Sequence, residues 1–283
     1  MNTDRKKAIL YLAMAACLWS TGGILIKLID MNPIAIAGIR SGIAAIVMFL
    51  YLGKVRITIN KINIAGACTY VALLFSFVGA NKLTTSANAI FLQFTSPIWV
   101  IIITAIILKE NIKRSDYLTV VAVLSGMLLF FIGSFGKGTM LGNIIACFSG
   151  IFQALLVILL KKHKEGSVVE VTLLGNVLTF LIAVPFIPHQ IPSASSSLYL
   201  CLLGVVQLGI PYILYTLAIK QVSSIEAILI PVLEPLLNPF WVFLFAGEKI
   251  APTVLIGGAI VISSIVFNEF ISLRDSRINQ ITE

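Results

Sequence analysis

Two ionisable residues stand where a chain this apolar should hold none. Arg40 lies eight residues into an apolar run over 33–52, and Glu234 lies near the middle of another over 224–246, within Pro231-Val-Leu-Glu234-Pro235. An ionised side chain at mid-membrane depth costs at least ~2.5–3.5 kcal/mol, so each must face protein or water rather than lipid. The planar fork of Arg40 suits a carboxylate, and it serves either to tie helices together or to anchor an anionic group of a solute. Glu234 offers the complementary role, a site for an amine or a proton, with a fixed salt bridge as the alternative. Pro231, Pro235 and Pro239 each remove a backbone donor and leave the carbonyls of residues 227, 231 and 235 without their usual partners. A kinked or partly unwound helix is expected there, and irregular backbone at that depth is tolerated only where it is buried in protein or lines a cavity.

Weaker candidates surround these two. The run over 86–108 places Asn88, Gln93, Thr95 and Ser96 ahead of Pro97. Asn88 and Gln93 are candidates for lining a cavity, but Leu92 interrupts the spacing that would put all the polar groups on one face, so some must bond between helices. Trp19, Tyr70, Phe75, Phe94, Tyr212 and Tyr215 could form an aromatic wall for an apolar or cationic solute, with ordinary packing as the competing reading. Glu226 reads as interfacial. The sequence offers no conventional catalytic set: His163 and His189 fall in opposite loops without a carboxylate pair or a cysteine at ligand spacing. The Gly136-Lys137-Gly138-Thr139 turn lacks the upstream glycine and strand of a nucleotide site. No enzyme activity, metal or cofactor is expected. Cys17, Cys68, Cys147 and Cys201 read as small buried apolar residues.

The elements that must position these residues follow from composition. Of 283 residues 59% are apolar and 11% charged, with a mean hydropathy of +1.03, against about 25% charged in soluble domains. A water-soluble enzyme is excluded, and the chain reads as an all-α integral membrane protein. Ten apolar runs are long enough to cross a bilayer core, which takes about 20 residues: 8–29, 33–52, 63–80, 86–108, 117–134, 141–160, 170–188, 198–219, 224–246 and 252–272. A membrane barrel would show alternating segments of about ten residues instead. The stretch after Arg5, Lys6 and Lys7 is too long for a signal peptide and lacks a cleavage signal, so it stays as the first helix. Of the twenty basic residues, fifteen fall on one side when the N-terminus is placed inside, which predicts both termini in the cytoplasm of a bacterial inner-membrane protein. The net charge of +8 is then a topology signal facing anionic lipid, and nucleic-acid binding need not be invoked.

The chain also repeats itself. Shifted by 134 to 138 residues, Lys27 meets Lys161, Lys82 meets Lys220, Ser86 meets Ser224, Pro97 meets Pro235 and Glu110 meets Glu248. Two units result, 1–137 and 138–283, each with five helices. Five is odd, so the second unit enters the membrane from the other side and the repeat is inverted, the symmetry of many secondary transporters.

Leu18-Trp19-Ser20-Thr21, Lys27, Arg40, Ser96-Pro97 and Leu108-Lys109-Glu110 resemble the first repeat of EamA-type carriers in the drug/metabolite transporter superfamily. Ser223 to Ala227, Leu233-Glu234-Pro235 and Gly247-Glu248-Lys249 resemble the second. The resemblance implies ten helices, cytoplasmic termini, and a cavity lined mainly by helices 1, 3, 4, 6, 8 and 9. It also implies a polar departure, since Gln153 stands where the repeat often has Trp, as Trp19 does in helix 1. The expected function is export of amino acids or related small metabolites by alternating access, with no residue setting the direction. A passive channel is the alternative, and a membrane-embedded enzyme a third. The spaced small residues Ala122 and Gly126, and Ala259 and Ser263, suit close helix packing within the subunit or a homodimer contact.

Overall fold

A computed structural model describes residues 3–54, 59–109, 113–132, 138–162, 168–187, 192–237 and 252–282. The described backbone is built of helices: α1 (Thr3–Trp19), α2 (Gly22–Leu28), α3 (Pro33–Leu52), α4 (Lys61–Leu83), α5 (Ser86–Gln93), α6 (Ser96–Ile103), α7 (Arg114–Phe131), α8 (Met140–Lys162), α9 (Val168–Ala183), α10 (Ala194–Leu202), α11 (Ile210–Ala218), α12 (Ser224–Leu229) and α13 (Pro252–Thr282). Local chemistry sets where several begin. The side chains of Asn32, Asn60, Thr85, Ser193 and Ser223 accept hydrogen bonds from the first backbone N–H groups of α3, α4, α5, α10 and α12. Gly53, at φ 63°, ends α3 in a conformation that glycine adopts without strain.

Among the described residues seven helical stretches are long and apolar enough to cross a membrane: Asp4–Leu28, Pro33–Leu52, Lys61–Leu83, Asn88–Ile106, Met140–Lys162, Val168–Phe186 and Ala194–Gln221. Leu255–Asn268 is a shorter apolar helix. The sequence gives ten runs; of the remainder, α7 covers most of 117–134, and the ninth run is described only as far as residue 237. Pro239, Gly247, Glu248, Lys249, Glu110, His163 and His189 lie outside the described residues. The outer surface is apolar, with Leu50, Ile106, Leu118 and Phe267 mostly exposed. This is a multi-pass membrane protein, whose apolar exterior is matched to lipid rather than to water. The cysteines correct one expectation: all four are free, and Cys17, Cys68 and Cys201 sit on that outer surface rather than in the core.

Several of the ten apolar runs are interrupted. The first breaks at Ser20-Thr21, where the two hydroxyls donate to Cys17 O and Leu18 O and so satisfy carbonyls that the break releases. The fourth breaks at Phe94-Thr95, just ahead of Pro97. In the eighth, Leu203–Gly209 is wound with the wider π spacing between α10 and α11. In the ninth, Ile230–Val232 tightens into a 3₁₀ turn around Pro231, as its missing donor requires.

Packing is pairwise. α1 runs along α11, α4 along α8, α3 along α9, and α7 along α13. Gly126 is buried against Val261 and the Gly257 carbonyl, so that small residue serves packing inside the subunit, whereas Ala259 and Ser263 face outward. α3 and α9 approach closely at Gly38, where an added Cβ would lie 2.1 Å from that of Ala183. Gly38→Val should therefore destabilise the protein by about 1–3 kcal/mol through overpacking. A lowered Tm in detergent checks this, and an unchanged one would mean that the two helices can part there.

Four lysines tie helix ends together. Lys27 Nζ donates to Thr84 O over 2.8 Å and Lys82 Nζ to Ile29 O, so the ends of α2 and α4 cap each other. Lys161 Nζ donates to Val222 O, and Lys220 Nζ to Lys161 O over 3.2 Å, which joins the end of α8 to the turn that follows α11. Terminal carbonyls have no partner within their own helix, and an ammonium group is a strong donor to them. Close to the second pair of lysines, Arg5 at the start of α1 bonds Glu226 of α12 over 2.7 Å, which gives Glu226 an ion-pair partner at the bundle end.

Candidate functional site

A cavity of about 40 Å³ lies inside the bundle, lined by Trp19, Arg40, Leu73, Leu74, Phe77, Gln153, Gln207, Leu208, Tyr212 and Glu234. The interruptions described above place several of these groups. Trp19 is the last residue of α1 before its break, and Gln207 sits within the π-wound segment, a distortion that re-aims side chains and recurs at functional sites. Gly22 belongs to the same arrangement: a Cβ there would come within 2.6 Å of Gln207 Nε2.

Arg40 is fully buried. Its Nη1 donates to Gln207 Oε1 over 3.0 Å, and its guanidinium carbon lies 5.9 Å from the centre of the Phe77 ring. Its Nε has no partner among the described residues. No ion pair joins Arg40 to Glu234 or to another described carboxylate. Glu234, likewise buried, lines the same cavity without an ion-pair partner among the described residues. Gln153 adds a buried amide oxygen without a hydrogen bond among those residues. The cavity therefore presents a cation, an acid and spare amide capacity to whatever fills it.

Aromatic rings form one wall. Tyr212 meets Trp19 edge-on at 5.1 Å between centroids, Tyr70 at 4.8 Å, and Tyr215 at 6.2 Å. Tyr70 and Tyr215 stand behind this wall rather than in the lining. Tyr70 is seated on α9: Asn176 Nδ2 donates to its hydroxyl over 3.1 Å, and Gly175 leaves room for its ring, since a Cβ there would lie 2.6 Å from Tyr70 Cδ1.

Of the nine residues singled out from sequence, Trp19, Arg40, Gln153, Tyr212 and Glu234 share the cavity, and Tyr70 and Tyr215 support it. Asn88 and Gln93 do not line it. Asn88 Nδ2 donates to Thr84 Oγ1 over 3.3 Å, and that hydroxyl donates in turn to Asn143 over 2.7 Å, so this polar chain ties α5 to α8. Gln93 is buried where α5 crosses α8, its carbonyl 2.7 Å from where a side chain on Gly150 would begin. The expected lining thus differs in two places: the second apolar run contributes Arg40, and the described residues of the fourth contribute no lining residue. Gln207 is the functional candidate that sequence reading passed over. Its signal was available, an amide in the middle of an apolar run.

Comparison with known proteins places these features in context. The model of a family described as the EamA-like transporter family matches the chain twice, over residues 6–132 and 140–270. An uncharacterized transporter of Clostridium kluyveri is 25% identical, with 93% of each chain covered. One from Archaeoglobus fulgidus is 26% identical over 68% of this chain and 70% of its own. The uncharacterized transporter YdfC of Bacillus subtilis is 24% identical over 93% of this chain and 90% of its own. A protein of known crystal structure superposes with a TM-score of 0.79 over 93% of this chain and 98% of its own, at 17% identity, a likeness of fold alone.

Proposed function

Because the chain belongs to the EamA-like transporter family, we propose that it is a secondary active transporter that exports amino acids or related small metabolites by alternating access. In this reading ten helices form two five-helix units of inverted topology, 1–137 and 138–283, in a bacterial inner membrane with both termini cytoplasmic. The twofold match of the family model supports the division, as do the lysine pairs, whose members correspond under the sequence shift.

The observation that carries the proposal is the cavity with Arg40 and Glu234 in its walls and no bond between them. A permanent salt bridge would have neutralised both. An α-amino acid brings a carboxylate for the Arg40–Gln207 pair and an ammonium for Glu234, while its side chain meets the Trp19–Tyr212 wall. Solute counterflow in proteoliposomes tests the class. Labelled amino acids should accumulate transiently against unlabelled solute inside, with rates that saturate. Absence of counterflow across amino acids, organic acids, sugars and drugs would overturn the reading, and a flux that rises linearly without saturation would favour a channel.

A further inference from the structure

We propose that the two lysine pairs are the end locks of the transport cycle, each closing the central cavity at one end of the bundle; the proposal rests on the alternating-access reading above. The argument begins with what packs against what. α1 runs along α11 and α4 along α8, so the cavity lies between two packed pairs, with Trp19 and Tyr212 on one side and Leu73, Leu74, Phe77 and Gln153 on the other. Between these pairs, α2 meets α4 where Lys27 and Lys82 exchange bonds, and α8 meets the turn after α11 where Lys161 and Lys220 do so.

Each lysine pair thus spans the gap between the same two bodies. The pairs do so at opposite ends. Lys161 bonds Val222, a few residues from Glu226, which holds Arg5 at the start of α1; Lys27 lies at the far end of that first crossing. Lysine suits a lock that must release. Its flexible stem lets the ammonium leave a carbonyl for water or headgroups, and the carbonyl it leaves can be hydrated once that end opens. The bonds of both pairs are made in this structure. Opening one end breaks its two bonds while the opposite pair holds and acts as the pivot, and the two repeats supply equivalent locks because each places a lysine at the end of its first and third helices.

The test reads access to the cavity and uses no cargo. Cys17, Cys68, Cys147 and Cys201 are replaced by Ser, and Leu73→Cys places one thiol on the cavity wall. A membrane-impermeant maleimide is then applied to each face of oriented vesicles in turn. Lys27→Met with Lys82→Met should speed labelling about 100-fold or more from the face that carries those lysines, the effect expected for losing two hydrogen bonds from charged groups at about 10-fold or more each. Lys161→Met with Lys220→Met should do the same from the Arg5 face only, with the Arg5–Glu226 pair left intact. Lys82→Arg and Lys220→Arg keep a charged donor and should label like the parent. If a double variant fails to fold, Lys82→Met and Lys220→Met alone carry the comparison. Unchanged labelling in folded variants, or a rise from the same face or from both faces in each, would overturn the locks. Face-specific labelling in a protein that moves no solute would keep the locks and remove the transport reading.

Discussion

Net efflux by the Glu234→Gln variant should fall to background while exchange of bound solute persists. The reasoning starts from the cavity, which Glu234 lines together with Arg40 and Tyr212 while forming no ion pair with a described residue. If its carboxyl takes up a proton in one conformation and releases it in the other, the neutral amide mimics the protonated state permanently. Exchange needs no proton step and continues; net movement needs the full cycle and stops. Because no ion pair is broken, the variant should not suffer the ~3–5 kcal/mol loss that follows removal of one partner from a buried pair. The measurement pairs net efflux with exchange, each across a range of pH, at matched amounts of folded protein. An unchanged net efflux with an unchanged pH profile would remove Glu234 from the mechanism.

The second large effect concerns Arg40. Arg40→Met keeps much of the length of the side chain and removes the charge, and it should weaken binding of a carboxylate-bearing solute by about 10- to 100-fold, the worth of a hydrogen bond to a charged group. Stability should move the other way or not at all. A buried guanidinium with one amide partner and no counter-ion among the described residues is costly, and replacing it with a packed apolar chain is neutral or favourable. Saturation of exchange by amino acids, read alongside Tm, separates the outcomes. A large fall in Tm with unchanged affinity would make Arg40 a structural tie between α3 and the π-wound segment.

The sequence made Arg40 and Glu234 legible because charge is rare at that depth, Trp19 and Tyr212 because their types stand out in apolar runs, and Gln153 because it stands where the resembling repeat often has Trp. Leu73, Leu74, Phe77 and Leu208 carry no such mark in a chain that is apolar everywhere, although they make up much of the cavity wall. Residue type also misled. Asn88 and Gln93 look equivalent to Gln207, yet they lie in the fourth crossing, whose backbone breaks at Phe94-Thr95, and both sit where α5 meets α8. Helical periodicity counted along a run loses its phase at each interruption, and the π spacing over Leu203–Gly209 shifts Gln207 relative to what 3.6 residues per turn would give. Assigning faces needs the position of each break, and only some of these announce themselves through proline.

The bond between Arg40 and Gln207 has a consequence for biosynthesis. The two residues are 167 positions apart. At about 5–20 residues per second, the guanidinium waits about 10–30 s between its own synthesis and that of its amide partner. Through that interval the second crossing is a marginal passenger of the insertion machinery, held by its flanking apolar residues and by whatever water or headgroup reaches the charge. Half of this chain made alone would leave the guanidinium without its amide partner. The segment around Arg40 is therefore not an independent folding unit: it gains its amide partner only when residue 207 emerges from the ribosome.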